Sequence, residues 1–153
     1  MLCGTRVTGT VLAFDFGTQR IGIAIGESLL GQARPLAVIT AAANDARFSA
    51  IGKLIAAWQP ALLVVGLPLS MDGAEHEMSA RCRRFAHQLE GRFRLPVELV
   101  DERLSSAEAE ANLAAGGMAW RTRKEYLDAA AAAILLQNFF DTPVTAMLAT
   151  PKP

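Results

Sequence analysis

The spacing of apolar positions along the chain changes several times, and each change marks a new element. Residues 11–16 and 21–25 are short apolar runs on either side of Gly17-Thr18-Gln19-Arg20, which predicts two strands joined by a hairpin turn. Residues 34–40, after the turn-prone Gly31, predict a third strand, so the chain opens as a meander. Phe48, Ile51, Leu54, Ile55 and Trp58 follow at intervals of three and four, the stripe of a helix over 45–59 that Pro60 closes. Residues 61–65 are continuously apolar, as in a central parallel strand covered on both faces, and Gly66-Leu67-Pro68 ends them.

The second half keeps alternating. A loop over 69–75 turns at Asp72-Gly73 and leads into a helix over 75–92, with Met78, Cys82, Phe85, Leu89 and Phe93 inward and Arg81, Arg84 and Gln88 outward. Leu95-Pro96 introduces a short strand, 97–100, that runs into Asp101-Glu102-Arg103. Ser105 and Glu108 form a capping box for a helix reaching Ala114, stopped by Gly116-Gly117. Residues 118–124 read as a basic and aromatic loop, and a last helix over 124–140 carries Leu127, Ala130, Ala131, Ile134, Leu135 and Asn138 on a broad buried face. The tail 142–153, with three prolines, is expected to be flexible. Three strands in succession, then helix, strand, helix, strand and two helices, predict an α/β protein with a mixed sheet in a single domain over 1–141.

Composition narrows this further. The chain is 52% hydrophobic but only 7% aromatic, so the core must be aliphatic and alanine-rich. Lys plus Arg and Asp plus Glu are both 15, so overall charge argues for neither a nucleic acid nor a membrane partner, and any electrostatic footprint must be local. Cys3 and Cys82 have no metal-ligand spacing and are expected to be reduced thiols in a cytoplasmic protein. The first residues lack the basic-then-apolar pattern of a signal peptide, and the apolar stretch 129–136 falls well short of the roughly 20 residues that span a bilayer, so no membrane association is expected.

Three acids stand in apolar surroundings where a solvated charge is not expected: Asp15 at the end of the first strand, Glu102 after the last strand and Asp128 on the final helix. Burying an unpaired carboxylate is costly, so Asp15 calls for a metal ion, a basic side chain or backbone donors. Carboxylates without His or Cys make a hard, all-oxygen donor set that suits Mg²⁺ or Mn²⁺ rather than zinc. The functional crevice of such sheets lies at the carboxyl ends of the parallel strands, where Asp15 and Glu102 are expected. The residues alone leave plainer roles open. Asp15 fits a turn acid accepting from Gly17 or Thr18, Glu102 a solvated partner of Arg103, and Asp128 a first-turn acid favoured by the helix dipole. Asp101 and Glu102 can also exchange roles, because consecutive strand residues face opposite ways.

Four blocks carry a family resemblance: VLAFDFGTQRIGIAIGE, VVGLPLSMDG, LPVELVDERLSSAEAEANL and KEYLDAAAAAILLQNFFD. In that order they resemble the signature blocks of the YqgF family, the RuvC-like, Holliday-junction-resolvase-like proteins described as pre-16S ribosomal RNA nucleases. GLPLSMDG and VDERLSS together make the resemblance specific. DFGT alone is also similar to the phosphate-binding turn of actin-like ATPases and sugar kinases, whose fold normally takes two such domains where 153 residues allow one.

The resemblance implies an RNase H-like (RuvC-like) mixed five-stranded sheet with helices on both faces. It implies that Asp15, Glu102 and Asp128 form an acidic triad that ligates Mg²⁺ or Mn²⁺ and catalyses phosphodiester hydrolysis. The implied partner is a nucleic acid. Processing of the 5′ end of pre-16S ribosomal RNA is favoured over resolution of branched DNA at a Holliday junction, and over a non-cleaving nucleic-acid-binding module of the same fold. End trimming suits a monomer and junction resolution a homodimer. Two positions depart from the family pattern: Gln19 where Lys commonly precedes Arg20, and Ala129 where a basic residue commonly follows Asp128. Both are expected to remove positive charge near the site. Phosphate contacts then fall to Arg20, Arg81, Arg84, Arg103, Arg121, Arg123 and Lys124.

Overall fold

The expected meander is the first half of one sheet. In the computed structural model, which describes residues 9–17, 19–40, 43–68, 77–101 and 123–141, β1 (Thr10–Phe16) pairs antiparallel with β2 (Arg20–Glu27), and β2 with β3 (Gln32–Thr40). The chain then crosses over through α1 (Asn44–Trp58) to β4 (Leu62–Leu67), and through α2 (Glu77–Phe93) to β5 (Val97–Asp101). Both strands add in parallel on the far side of β1, giving the order β3-β2-β1-β4-β5. The last described element, α3 (Arg123–Asp141), packs across β1, β2 and β3. This is the mixed five-stranded sheet with helices on both faces that the sequence predicts, and described helix and strand ends fall within two or three residues of their predicted positions.

Strand alternation divides the core into two layers. Leu12, Phe14, Ile21, Ile23, Leu63 and Val65 point toward α1 and α2, where they meet Phe48, Ile51, Cys82, Phe85 and Leu89. Val11, Ala13, Ala24, Leu62 and Val64 point the other way, against Ala132, Leu135, Leu136 and Phe139 of α3. β4 is buried on both faces along its whole length, as its unbroken apolar run requires.

The two layers differ in thickness, and small residues set the difference. On the α3 face β2 offers Gly22, Ala24 and Gly26, and the helix answers with the buried run Ala129 to Ala133. A Cβ at Gly22 would overlap the carbonyl of Asp128, and one at Gly26 would lie 2.7 Å from the Phe140 ring. The helix therefore sits almost backbone to backbone on β2. Gln137 fixes its far end, accepting from the Ala33 N–H at 3.0 Å and donating to the Gly31 carbonyl at 2.8 Å. That leaves the Asp128 end of α3 over the start of β2, beside the carboxyl end of β1.

Two side chains depart from the predicted pattern of α1. Trp58 was expected on the buried stripe, yet it is 40% exposed: at the last residue of the helix it projects past the core and lies under the Arg34 guanidinium, 5.8 Å from ring centre to Cζ. Arg47, which the apolar stripe does not include, is only 4% exposed. The predicted loop 69–75 with Asp72, the helix from Ser105 to Ala114 with its stop at Gly116-Gly117, Trp120, His76, Cys3 and the tail 142–153 lie outside the described residues. His87 is on the surface, and Cys82 packs into the α1/α2 core as a thiol.

Because the overlap at Gly22 is with backbone, no rotamer change relieves it. Gly22→Ala is expected to lower stability by about 2 kcal/mol or more despite alanine's lower unfolded entropy, measured by urea denaturation with an unchanged m-value.

Candidate active site

Asp15 is the penultimate residue of β1, half-buried, and its Cα partner on β2 is Gly22. Alternation places it with Val11 and Ala13 on the α3 face, while Phe14 and Phe16 turn to the other. Gly22 is the residue against which the Asp128 backbone rests, so the same glycine that lets α3 approach brings Asp128 next to Asp15. Asp128 is the sixth residue of α3, which puts it beyond the first turn where the helix dipole would explain an acid. Its carboxylate instead accepts a hydrogen bond from Arg20 Nε at 2.5 Å, with both side chains about a third exposed or less. Arg20 lies two residues before Gly22, so it too faces α3. One face at one end of the sheet thus carries Asp15, Arg20 and Asp128.

Asp101 ends β5 on the opposite face. Val97 and Leu99 pack into the α1/α2 layer and Val100 into the α3 layer, so parity sends Asp101 away from Asp15. Glu102, its competitor for the third place, lies outside the described residues, as do Arg103 and Arg121; Arg123 and Lys124 open α3, but their side chains are not described. Among the described residues no group of three His, Cys, Asp or Glu side chains is close enough to hold a metal ion. The described pair is nonetheless chemically suited to one: two hard oxygen donors share a face, and a guanidinium already neutralises one of them.

Arg81 and Arg84 are elsewhere. They lie on the exposed side of α2 and line a cleft of about 450 Å³ on the α1/α2 side of the sheet, together with Phe16 and Arg47. Arg47 is the residue that the sequence did not reveal. Its Nη2 donates to the Gly17 carbonyl at 2.9 Å, and its guanidinium lies 5.3 Å from the Phe16 ring centre, tying α1 to the turn after β1. Burial pushes its pKa below the usual arginine value. Its position among Phe48 and Ile51 is in phase with the apolar stripe, but a charged residue gives no periodic signal of burial. Ser79 performs a similar tie at the next strand end, donating from its buried hydroxyl to the Pro68 carbonyl.

The two family departures read differently in three dimensions. Gln19 is exposed in the turn before β2, so a cation is absent there at the surface. Ala129 is fully buried beneath α3, its amide close to where a Gly22 Cβ would be, so this position cannot present a side chain to a ligand without moving the helix.

The chain was compared with known proteins. A family model, RuvX, described as Holliday junction resolvase, matches residues 9–142. A protein of Methylobacillus flagellatus named "Putative pre-16S rRNA nuclease" is 59% identical over 133 residues, 87% of this chain and 91% of its own. One of the same name from Thiobacillus denitrificans is 54% identical, covering 90% of this chain and 95% of its own. Among solved structures, Thermus thermophilus RuvC in complex with a Holliday junction substrate superposes with a TM-score of 0.55 at 18% identity, over 95% of this chain and 99% of that one. The yeast mitochondrial Holliday junction resolvase Ydc2 gives 0.56 at 11% identity, over 92% and 80%. At these identities the two structures establish the fold, which is that of the RNase H-like resolvases.

The Arg20–Asp128 pair is partly buried, between the exposed and the interior case. A double-mutant cycle of Arg20→Met and Asp128→Asn in urea is expected to return a coupling of about 1 kcal/mol; additivity would mean that the pair does not hold α3 in place.

Proposed function

The chain belongs to the RuvX family of Holliday junction resolvases, and on that premise we propose that it is a divalent-metal-dependent nuclease that processes the 5′ end of pre-16S ribosomal RNA. The observation that supports this most is the convergence of Asp15 and Asp128 on one face at the carboxyl end of the central strand, joined through Gly22. The choice of substrate rests on the names of relatives more than 50% identical over most of both chains. A ribosomal precursor as substrate would place the protein in the cytoplasm. Among the described residues no helix is long and apolar enough to cross a membrane.

Asp15, Asp128 and Glu102 would hold Mg²⁺ or Mn²⁺; Asp101 is the poorer candidate for the third place because the alternation of Leu99 and Val100 turns it to the α1/α2 face, away from Asp15. The bound metal would supply Lewis-acid activation of water and charge stabilisation at the scissile phosphate. Arg20 has its Nε committed to Asp128, which leaves its two Nη groups to donate to phosphate oxygens. It thereby couples the position of a carboxylate to the position of the substrate.

The purified chain is expected to shorten a pre-16S 5′-leader fragment in Mn²⁺ or Mg²⁺ and to stop in EDTA. Asp15→Asn should bind the fragment as well as wild type yet cleave it at least about 100-fold more slowly, since a direct ligand should matter more than an outer-shell partner. Equal cleavage by both proteins would point to a contaminant and leave a non-cleaving binding module. Selective cutting of a four-way DNA junction would point to a resolvase, the activity in the family's description.

A further inference from the structure

The cleft on the α1/α2 side is not needed for the carboxylate site, and its charge is not a consequence of composition. A chain with a formal net charge of zero places Arg47, Arg81 and Arg84 around one concavity of about 450 Å³, which Asn44, Gln88 and Phe16 also line. Among the described residues Glu77 is the one acid on its lining. It pairs with Arg81 at 3.3 Å across one helical turn, an exposed contact whose strength is only a few tenths of a kcal/mol, so Arg81 is readily exchanged to a stronger anion. Arg84 makes no ion pair among the described residues. Arg81, Arg84 and Gln88 follow at three and four residues along α2, so they present a row of donors on one side of the groove. Arg47 faces them from α1, and its burial and its bond to Gly17 hold the guanidinium in place before any ligand arrives.

We infer that this cleft binds the phosphate backbone of a single-stranded segment flanking the bond that is cut. The inference rests on the nuclease reading above. Donors in a row match a phosphodiester chain better than one isolated anion. The concavity is near the small end of the range for ligand sites, about 300–1,000 Å³, and is lined from two helices, a scale that suits one strand better than a duplex. The path is short. Asp15 and Phe16 are consecutive, about 3.8 Å apart at Cα, and face opposite sides of the sheet. A strand whose scissile phosphate lies over Asp15 reaches the cleft by turning round the end of β1 at Gly17, whose carbonyl Arg47 holds. The nuclease would then recognise a stem with a loose end, cutting on one face of the sheet and gripping the flank on the other.

The test uses binding alone, in EDTA, so that cleavage does not enter. Fluorescence anisotropy would compare an RNA stem bearing a single-stranded 5′ or 3′ extension with the same stem made blunt, for the wild-type chain and for Arg81→Gln/Arg84→Gln, two exposed positions where folding can be checked by circular dichroism. The wild type is expected to bind an extended stem at least about 10-fold more tightly than the blunt one, and the double variant to lose most of that preference while binding the blunt stem unchanged. The salt slope for the extended stem should shrink by about 1.4, at about 0.7 per lost phosphate contact on a single strand. No advantage from either extension, equal loss on both RNAs, or abolition of the preference by millimolar mononucleotide would overturn the inference, the last by making the cleft a nucleotide site. Extension-dependent binding without cleavage in any metal would sink the nuclease reading and keep the cleft. Cleavage with no extension preference would do the reverse.

Discussion

The close approach of α3 to β2 is the constraint on which the rest of the candidate site depends. An acidic residue on a helix and another on a strand come together only if the helix axis is near the sheet, and ordinary side chains keep it well away. Here the strand offers Gly22, Ala24 and Gly26, and the helix offers alanines from Ala129 to Ala133. These residues bury little apolar area each, so they are a poor choice for stability taken one at a time. Their collective effect is geometric: they bring the Asp128 backbone onto Gly22, and Gly22 is the register partner of Asp15. The thicker α1/α2 layer, with Phe14, Phe48, Phe85 and Leu89, supplies the larger apolar burial that this layer forgoes.

Placing two carboxylates together has an electrostatic cost, and the chain meets it locally. Arg20 stands on the same face as both and donates to Asp128. Because β1 and β2 are joined by a short turn, Asp15 and Arg20 are five positions apart in sequence and fixed relative to each other by the strand register, without help from the rest of the fold. Among the described residues of the site only Asp128 is brought from far away. Its arrival is one helix docking, and that docking is governed by glycine and alanine positions rather than by the charged residues.

Much of this was legible in the sequence, for reasons specific to each element. The described strands and helices were readable because alternation and three-four spacing are local signals, and the unbroken run in β4 marked the centre of the sheet. Asp15 stood out because an acid inside an apolar strand has no inexpensive explanation. The face that each charge occupies was not legible. Arg81 and Arg84 entered with Arg20 as one set of phosphate contacts, but a sheet has two sides, and the structure sends Arg20 to one and the α2 arginines to the other. Arg47 was missed because its burial depends on the Gly17 carbonyl and the Phe16 ring, neither of which is near it in sequence. Trp58 was misplaced because periodicity does not register where a helix outruns its core.

The departures from the family pattern acquire a different meaning once the packing is known. In a linear reading, Ala129 and Gln19 each subtract a positive charge beside the candidate acids. Ala129, however, is part of the same small-residue contact that seats Asp128, fully buried where α3 meets Gly22. A long basic side chain there would have to pass between helix and sheet, raising the helix and with it the carboxylate, so alanine at 129 fits the site's geometry rather than weakening its charge. Gln19 is a true loss, because that position is exposed in the turn. The cation it lacks was one that would have faced solvent, where a phosphate contact is weak and screened by salt. The arginines that remain are fixed in the fold: Arg20 is held by Asp128 and Arg47 by Gly17, so each has little side-chain entropy left to lose.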